Sequence, residues 1–249
     1  MTALIGNPLL LTSAPADDDA YQIEKSIRFN SGDDPYLLRT PGTSGNLRTY
    51  TYSFWFKTCV NKTNHQYLFT TSTGGSPSFV RLLASNDGYA SQLQVVDDTM
   101  GWGRILKPKI RDHSAWRHLC VSVDSTSAGT SVFGDRVKIY LNGILQESFD
   151  GTSNVPSQNA EGIFNKTGEP IYIGGQNTTD NHFDGYITDF QFIDGLALSP
   201  AAFGSFDSTG VWNPKEFAPP APNTGLTWSD SYSGSVVFVQ HMLDVKAQS

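Results

Sequence analysis

Between Thr49 and Lys57 apolar and polar positions alternate: Tyr50, Tyr52, Phe54 and Phe56 fall on one side, Thr49, Thr51, Ser53 and Lys57 on the other. A period of two is the signature of a strand with one face in a core, and Trp55 is the one aromatic on the polar side. His118 to Val123 repeats the pattern through Leu119, Val121 and Val123, and Arg136 to Asn142 sets Val137, Ile139 and Leu141 against Arg136, Lys138 and Tyr140. Asn142-Gly143 tolerates the positive φ that a type I′ turn needs at both central residues, so Ile144 to Phe149 is predicted to pair back antiparallel. Leu68-Phe69, Leu93 with Val95, and Ile171 with Ile173 mark further strands, the last leaving through Gly174-Gly175. From Tyr186 to Ile193, Ile187, Phe190 and Phe192 share a face only if one extra residue is inserted near Thr188 or Asp189, which predicts a β-bulge. Ser199-Pro200-Ala201-Ala202-Phe203 predicts a short helix with Ser199 as N-cap and Pro200 at N1. Short β runs separated by turn clusters predict an all-β fold, a two-sheet antiparallel jelly-roll sandwich.

The two ends of the chain differ from this texture. Residues 1–22 carry an apolar patch, Leu4, Ile5, Leu9, Leu10 and Leu11, followed by a polar stretch with the run Asp17-Asp18-Asp19. Such a segment cannot fold alone and reads as a docking arm, whose apolar area contributes ~25 cal/mol per Å² once buried on a partner or on the sandwich. Residues 23–207 form the expected jelly roll. Residues 208–249 read as an extended connector rich in proline (Pro214, Pro219, Pro220, Pro222) that ends in a strand from Ser235 to Val239.

Composition narrows the function classes. Aromatics make up 12% of the 249 residues and charged residues 16%, and glutamates number 5 against 19 aspartates, which excludes a mostly helical protein. Net charge is −7 with no basic run, so an electrostatic footprint for nucleic acid is missing. Two cysteines, Cys59 and Cys120, make no disulfide framework. The apolar stretch Ala3 to Leu11 is interrupted by Gly6, Asn7 and Pro8 and falls short of the ~20 residues that span a bilayer. The expectation is a soluble, leaderless protein with no membrane insertion.

Catalytic constellations are sparse. A glycosidase needs two carboxylates about 5 to 10 Å apart, and no strand carries two glutamates; Glu161 and Glu169 flank a loop and read as solvated charges. Asp184 and Asp194, each followed by glycine, read as turn residues that bond their own backbone. None of the five histidines sits beside a nucleophile-elbow sequence. His118 shares a strand face with Cys120, but two ligands do not make a zinc site. No resident cofactor is expected, and calcium is the one candidate ion, on the loops Asp97-Asp98 and Asp180-Asn181. For a glycan, an aromatic platform beside hydrogen-bonding side chains is required, and Trp102, between two glycines, and Tyr89, next to Asp87 in Asn86-Asp87-Gly88-Tyr89, fit that description.

From Ser26 to Lys215 the chain resembles the laminin-G-like, concanavalin A-like jelly rolls of tailed-bacteriophage virion proteins. The resemblance is carried by Ser26-Ile27-Arg28-Phe29-Asn30, by Thr51 to Lys57 around Trp55, and by Arg111-Asp112-His113-Ser114-Ala115-Trp116-Arg117-His118. It continues through Asp135 to Gly143, Phe183-Asp184-Gly185-Tyr186-Ile187, Phe192-Ile193-Asp194-Gly195 and Gly210-Val211-Trp212-Asn213-Pro214-Lys215. It implies a display or adhesion module without catalysis: a decoration or fibre-type virion subunit attached through its termini, or a host-glycan-binding adhesin. The implied partners are other virion proteins, further copies of the chain and a host-surface glycan, and the implied location is the virion surface. About 34 residues follow Lys215, which favours a compact accessory subunit over a long tail fibre.

Overall fold

The computed structural model describes residues 21–60, 62–71, 77–84, 88, 90–129, 135–152, 154–176, 181–218 and 238–239. The strands of the sandwich among these residues begin with β1 (Ile27–Phe29), β2 (Leu37–Arg39), β3 (Thr49–Thr58), β4 (Gln66–Thr71), β5 (Phe79–Ala84), β6 (Ala90–Asp97), β7 (Trp102–Lys109), β8 (Arg117–Asp124), β9 (Val137–Leu141), β10 (Ile144–Leu145), β11 (Phe149–Thr152), β12 (Ile171–Ile173) and β13 (Gly185–Asp194). A 3-10 turn at Pro200–Ala202 leads to β14 (Gly204–Phe206), β15 (Trp212–Pro214) and β16 (Phe238–Val239).

One sheet runs β1-β13-β3-β8-β9-β10 with β16 also on β13; the facing sheet runs β11-β7-β6-β5-β4-β12-β2; β14 and β15 form a separate hairpin. All of these strand pairs are antiparallel. The fold is the all-β jelly-roll sandwich that the alternation predicts.

The core lies where the inward residues of the two sheets meet. Tyr50, Tyr52, Phe54 and Phe56 of β3 are all fully buried. Tyr50 stacks on Phe192 and Phe54 on Phe190, with centroids 5.5 and 5.4 Å apart, and Phe69 from the opposite sheet stacks on Phe164 at 4.5 Å. Such aromatic pairs add about 0.5–1.5 kcal/mol each beyond their burial. The bulge falls where expected: from Thr188 to Gln191 three steps of β13 match two steps of β3, from Trp55 to Ser53, and Asp189 takes a φ of 47°. That insertion returns Phe190 and Phe192 to the core.

Asn142 and Gly143 have φ of 49° and 76°, as the predicted turn demands. The strand after them is shorter than expected. Only Ile144 and Leu145 pair with β9, while Phe149 crosses to the other sheet and pairs with Leu106 of β7. The predicted short helix is a single 3-10 turn with Pro200 at its start, and the Ser199 side chain makes no capping bond. The C-terminal strand runs over Phe238–Val239, opposite Phe192 and Gln191. Residues 204–206 and 212–214 pair with each other, so the β14–β15 hairpin straddles position 207, where the sandwich was expected to end. The arm residues Leu4, Ile5, Leu9, Leu10 and Leu11 lie outside the described residues.

Candidate functional site

The outward face of the β1-β13-β3-β8 sheet is built by the other half of the alternation. Register aligns Arg28, Tyr186 and Lys57 across β1, β13 and β3, and Trp116, which precedes β8, follows Lys57 in the same row. The next row contains Thr188, Trp55 and His118, and the one after it Gln191, Ser53, Cys120 and Tyr140. The aromatic part of such a surface must be covered or used.

The far half is covered by the chain after β13. Phe203 is buried against Cys120 and Ile193, with Leu196, Leu198 and Phe217 packed around them. Trp212 of β15 lies over His118, rings 5.8 Å apart, and its indole N–H donates to His118 Nδ1 at 3.2 Å. Gly143 leaves room for this ring, since a Cβ there would come within 2.4 Å of it. An indole can only donate, so Nδ1 is the acceptor and the imidazole proton sits on Nε2, which donates to Ser53 Oγ at 2.7 Å. Burial holds His118 neutral, its pKa pushed down to about 3. Ser53 and His118 thus form a buried structural pair with the histidine as donor, the wrong direction for activating a serine nucleophile.

The near half is open. A groove of about 870 Å³ runs over Trp55 and Thr188, between the segment Tyr21–Ser26 on one side and Ser205, Asp207, Asn213, Pro214 and Lys215 on the other, with Trp116 at its end. Thr188 Oγ1 donates to the Lys25 carbonyl and pins the first wall to the sheet. The second wall is held by Asp207: its Oδ1 accepts from Thr209 Oγ1 at 2.6 Å, Thr209 N at 2.8 Å and Val211 N at 3.0 Å, and its Oδ2 accepts from Asn213 Nδ2. These bonds, led by that from the Thr209 hydroxyl, draw the Asp207 pKa down to about 2. Trp55 forms the floor, buried beneath the groove, and its indole Nε1–H finds no acceptor among the described residues. Trp116 is 36% exposed.

The residues singled out from sequence fall elsewhere. Trp102 is a correction: at 2% exposure it belongs to the main core, because β7 begins at this residue and turns 102 and 106 to the same inward face. It offers no platform for a sugar. Tyr89 and Asp87 lie outside the described residues. Asp97 is buried and accepts from Tyr50 Oη at 2.9 Å, Ser78 Oγ at 2.9 Å and Met100 N at 3.1 Å, so its oxygens are spent on closing one end of the sandwich. Asp180 lies outside the described residues, and among those described no group of three or more His, Cys, Asp or Glu is placed to hold a metal ion.

Asp184 and Asp194 are not local turn residues. Asp184 accepts from Arg28 and Ser31, each at 2.8 Å, and Asp194 accepts from Asn46 N at 2.6 Å, so both tie distant segments together. Glu161 is an exposed partner of Arg48. Both thiols are free, Cys120 buried and Cys59 partly exposed, with burial raising the Cys120 pKa far above the ordinary range. The groove residues Trp55 and Trp116 were not recognised from sequence as a site. Their signal was present: a tryptophan on the polar side of a strict alternation needs a reason to be there.

A family model described as the concanavalin A-like lectin/glucanases superfamily matches residues 30–202. No curated protein matches the sequence. Domain 4 of an extracellular arabinanase from Geobacillus stearothermophilus, solved with arabinotriose, is 20% identical, with 73% of this chain and 75% of that chain covered and a TM-score of 0.49. A heptameric SAP-like pentraxin from Limulus polyphemus is 18% identical over 72% of this chain and 75% of that one, TM-score 0.44. The LG4-5 domains of mouse laminin α1 are 11% identical over 73% and 44%, TM-score 0.47.

The His118 bridge makes the cover pH-sensitive. The unfolded imidazole takes a proton near pH 6.5 and the folded one only near 3, so the unfolded state binds more protons in between and stability falls as pH drops below 6.5. Two pH units into that window the loss is about 2–3 kcal/mol. Asp97 and Asp194, raised by burial, act in the opposite sense, so the histidine term is isolated by comparison with His118→Gln. Urea unfolding between pH 6.5 and 4.5 is expected to be steeper in pH for the wild type than for this variant; parallel profiles contradict the assignment.

Proposed function

The chain belongs to the concanavalin A-like lectin/glucanase superfamily, and from that membership and the outer-face groove we propose that it is a non-catalytic carbohydrate-binding module. The observation that carries the reading is the exposed Trp116 ring at the end of a groove floored by Trp55, with polar side chains on both walls. The apolar face of a pyranose stacks on such a ring while its hydroxyls meet Ser205, Asn213 and Glu24. The Trp55 N–H, without an acceptor among the described residues, is a buried donor at the floor of the same groove.

Asp207 is disfavoured as a catalytic acid for hydrolysis by how its carboxylate is held. A glycosidase needs a protonated carboxyl as general acid. Asp207, with its pKa near 2 and its oxygens held by the turn, supplies none.

The setting we propose is the surface of a tailed-phage particle, as a decoration or fibre-type subunit that self-associates and docks through its termini, residues 1–22 and 216–249. It is supported by the order and spacing of the motifs from Ser26 to Lys215.

Calorimetric titration against plant, bacterial and animal oligosaccharides tests the binding role. At least one is expected to bind, and Trp116→Ala is expected to weaken it by about tenfold or more with an unchanged thermal midpoint; equal affinity in the variant sinks the proposed site. For the setting, a chain starting at Tyr21 is expected to fold yet fail to load onto particles lacking the protein. Loading at the full-length level refutes the arm.

A further inference from the structure

Next to the groove, one row further along the outer face, stands a cation that has no anion among the described residues. Lys57 lies two residues beyond Trp55 on β3, on the same face, and its ammonium sits 5.2 Å from the Trp116 ring centre and 5.0 Å from that of Tyr186. The two rings meet at 60° with centres 6.3 Å apart and hold the ammonium between them. Cation–π contact satisfies charge but not the three N–H donors. Among the described residues Lys57 has neither an ion pair nor a hydrogen-bond acceptor, whereas the next cation in the row, Arg28, is neutralised by Asp184 at 2.8 Å.

The chain as a whole carries −7, so an unpaired ammonium framed by aromatics beside a groove is not a by-product of a basic surface. The nearby charges are mixed: Glu24 and Lys25 line one wall of the groove and Asp207 and Lys215 the other, and Asp207 already accepts four hydrogen bonds in its own turn. Lys57 is the cation that Trp116 frames, and because Trp116 also borders the groove, the ammonium donors stand beside a sugar ring stacked on the indole. A negative substituent fills them best, because a carboxylate or sulfate adds a charge–charge attraction to the ammonium hydrogen bond that a neutral hydroxyl lacks.

Resting on the reading of the groove as a saccharide site, we propose that it selects an anionic sugar unit, whose pyranose face lies on Trp116 and whose carboxylate or sulfate takes the Lys57 ammonium. The carboxylate of a uronic acid, that of a sialic acid and a sulfate ester share this chemistry. The ammonium lies against the same indole on which the sugar stacks, so charge and stacking are read together.

The experiment is calorimetry on the full chain with three matched pairs: an oligogalacturonate and its methyl ester, sialyllactose and lactose, and a carrageenan oligosaccharide and its desulfated form. In at least one pair the anionic member is expected to bind tenfold or more tightly. That advantage is expected to fall below twofold in Lys57→Met, which keeps an apolar stem against the two rings, and to persist in Lys57→Arg. Equal affinities in every pair, or an advantage that survives Lys57→Met with an unchanged melting profile, overturn the proposal. Binding of neutral members that still depends on Trp116 leaves the saccharide site standing, whereas no binding of any member removes both.

Discussion

Strand β3 is hydrogen-bonded on one side to β13 and on the other to β8, so its alternation must satisfy two opposite surfaces at once. The inward set, Tyr50, Tyr52, Phe54 and Phe56, fills the space between the sheets. The outward set, Thr51, Ser53, Trp55 and Lys57, determines what the sheet can hold on its other side. A shift of one residue would exchange the two sets and bury Lys57 in the core. The bulge in β13 preserves this register along the strand's full length, because it absorbs the extra residue that would otherwise turn Phe190 and Phe192 outward.

The outward face is divided by its polar content. Toward Ser53 and Cys120 it is closed by Phe203, Phe217 and Trp212, and the bridge from Trp212 through His118 to Ser53 fixes that cover with every ring nitrogen occupied. Such a network specifies one docking position for the hairpin. Toward Trp55 and Lys57 the same face stays open, and the cover's edge becomes the groove's wall. The proposed saccharide groove is thus a product of incomplete covering: it lies over buried Trp55, with Trp116 exposed at its end, because the hairpin ends beside them.

Much of this was legible in the sequence. β3, β8 and β9 announced themselves by strict alternation, the Asn142-Gly143 turn by its need for positive φ, and the bulge by a broken hydrophobic phase. The length of β10 was not legible, since nothing local tells Leu145 that its continuation pairs across the sandwich with β7. Trp102 misled because Gly-Trp-Gly reads as a loop tip, whereas it begins a strand whose inward face is set by neighbours far away in sequence. The site was half visible: Trp55 stood out on the polar side of its strand, but the groove depends on Tyr21–Ser26 and on a hairpin more than 140 residues later in the chain, and local patterns do not encode that meeting.

The central claim is that the open half of the outer face, and no other tryptophan-bearing region, contacts saccharide. Five tryptophans, Trp55, Trp102, Trp116, Trp212 and Trp228, give separate indole N–H resonances in a proton–nitrogen spectrum of the labelled protein. Titration with a bound oligosaccharide is predicted to move the Trp116 and Trp55 signals and to leave that of core-buried Trp102 in place. Shifts centred on Trp102 with Trp116 and Trp55 unmoved would contradict the account.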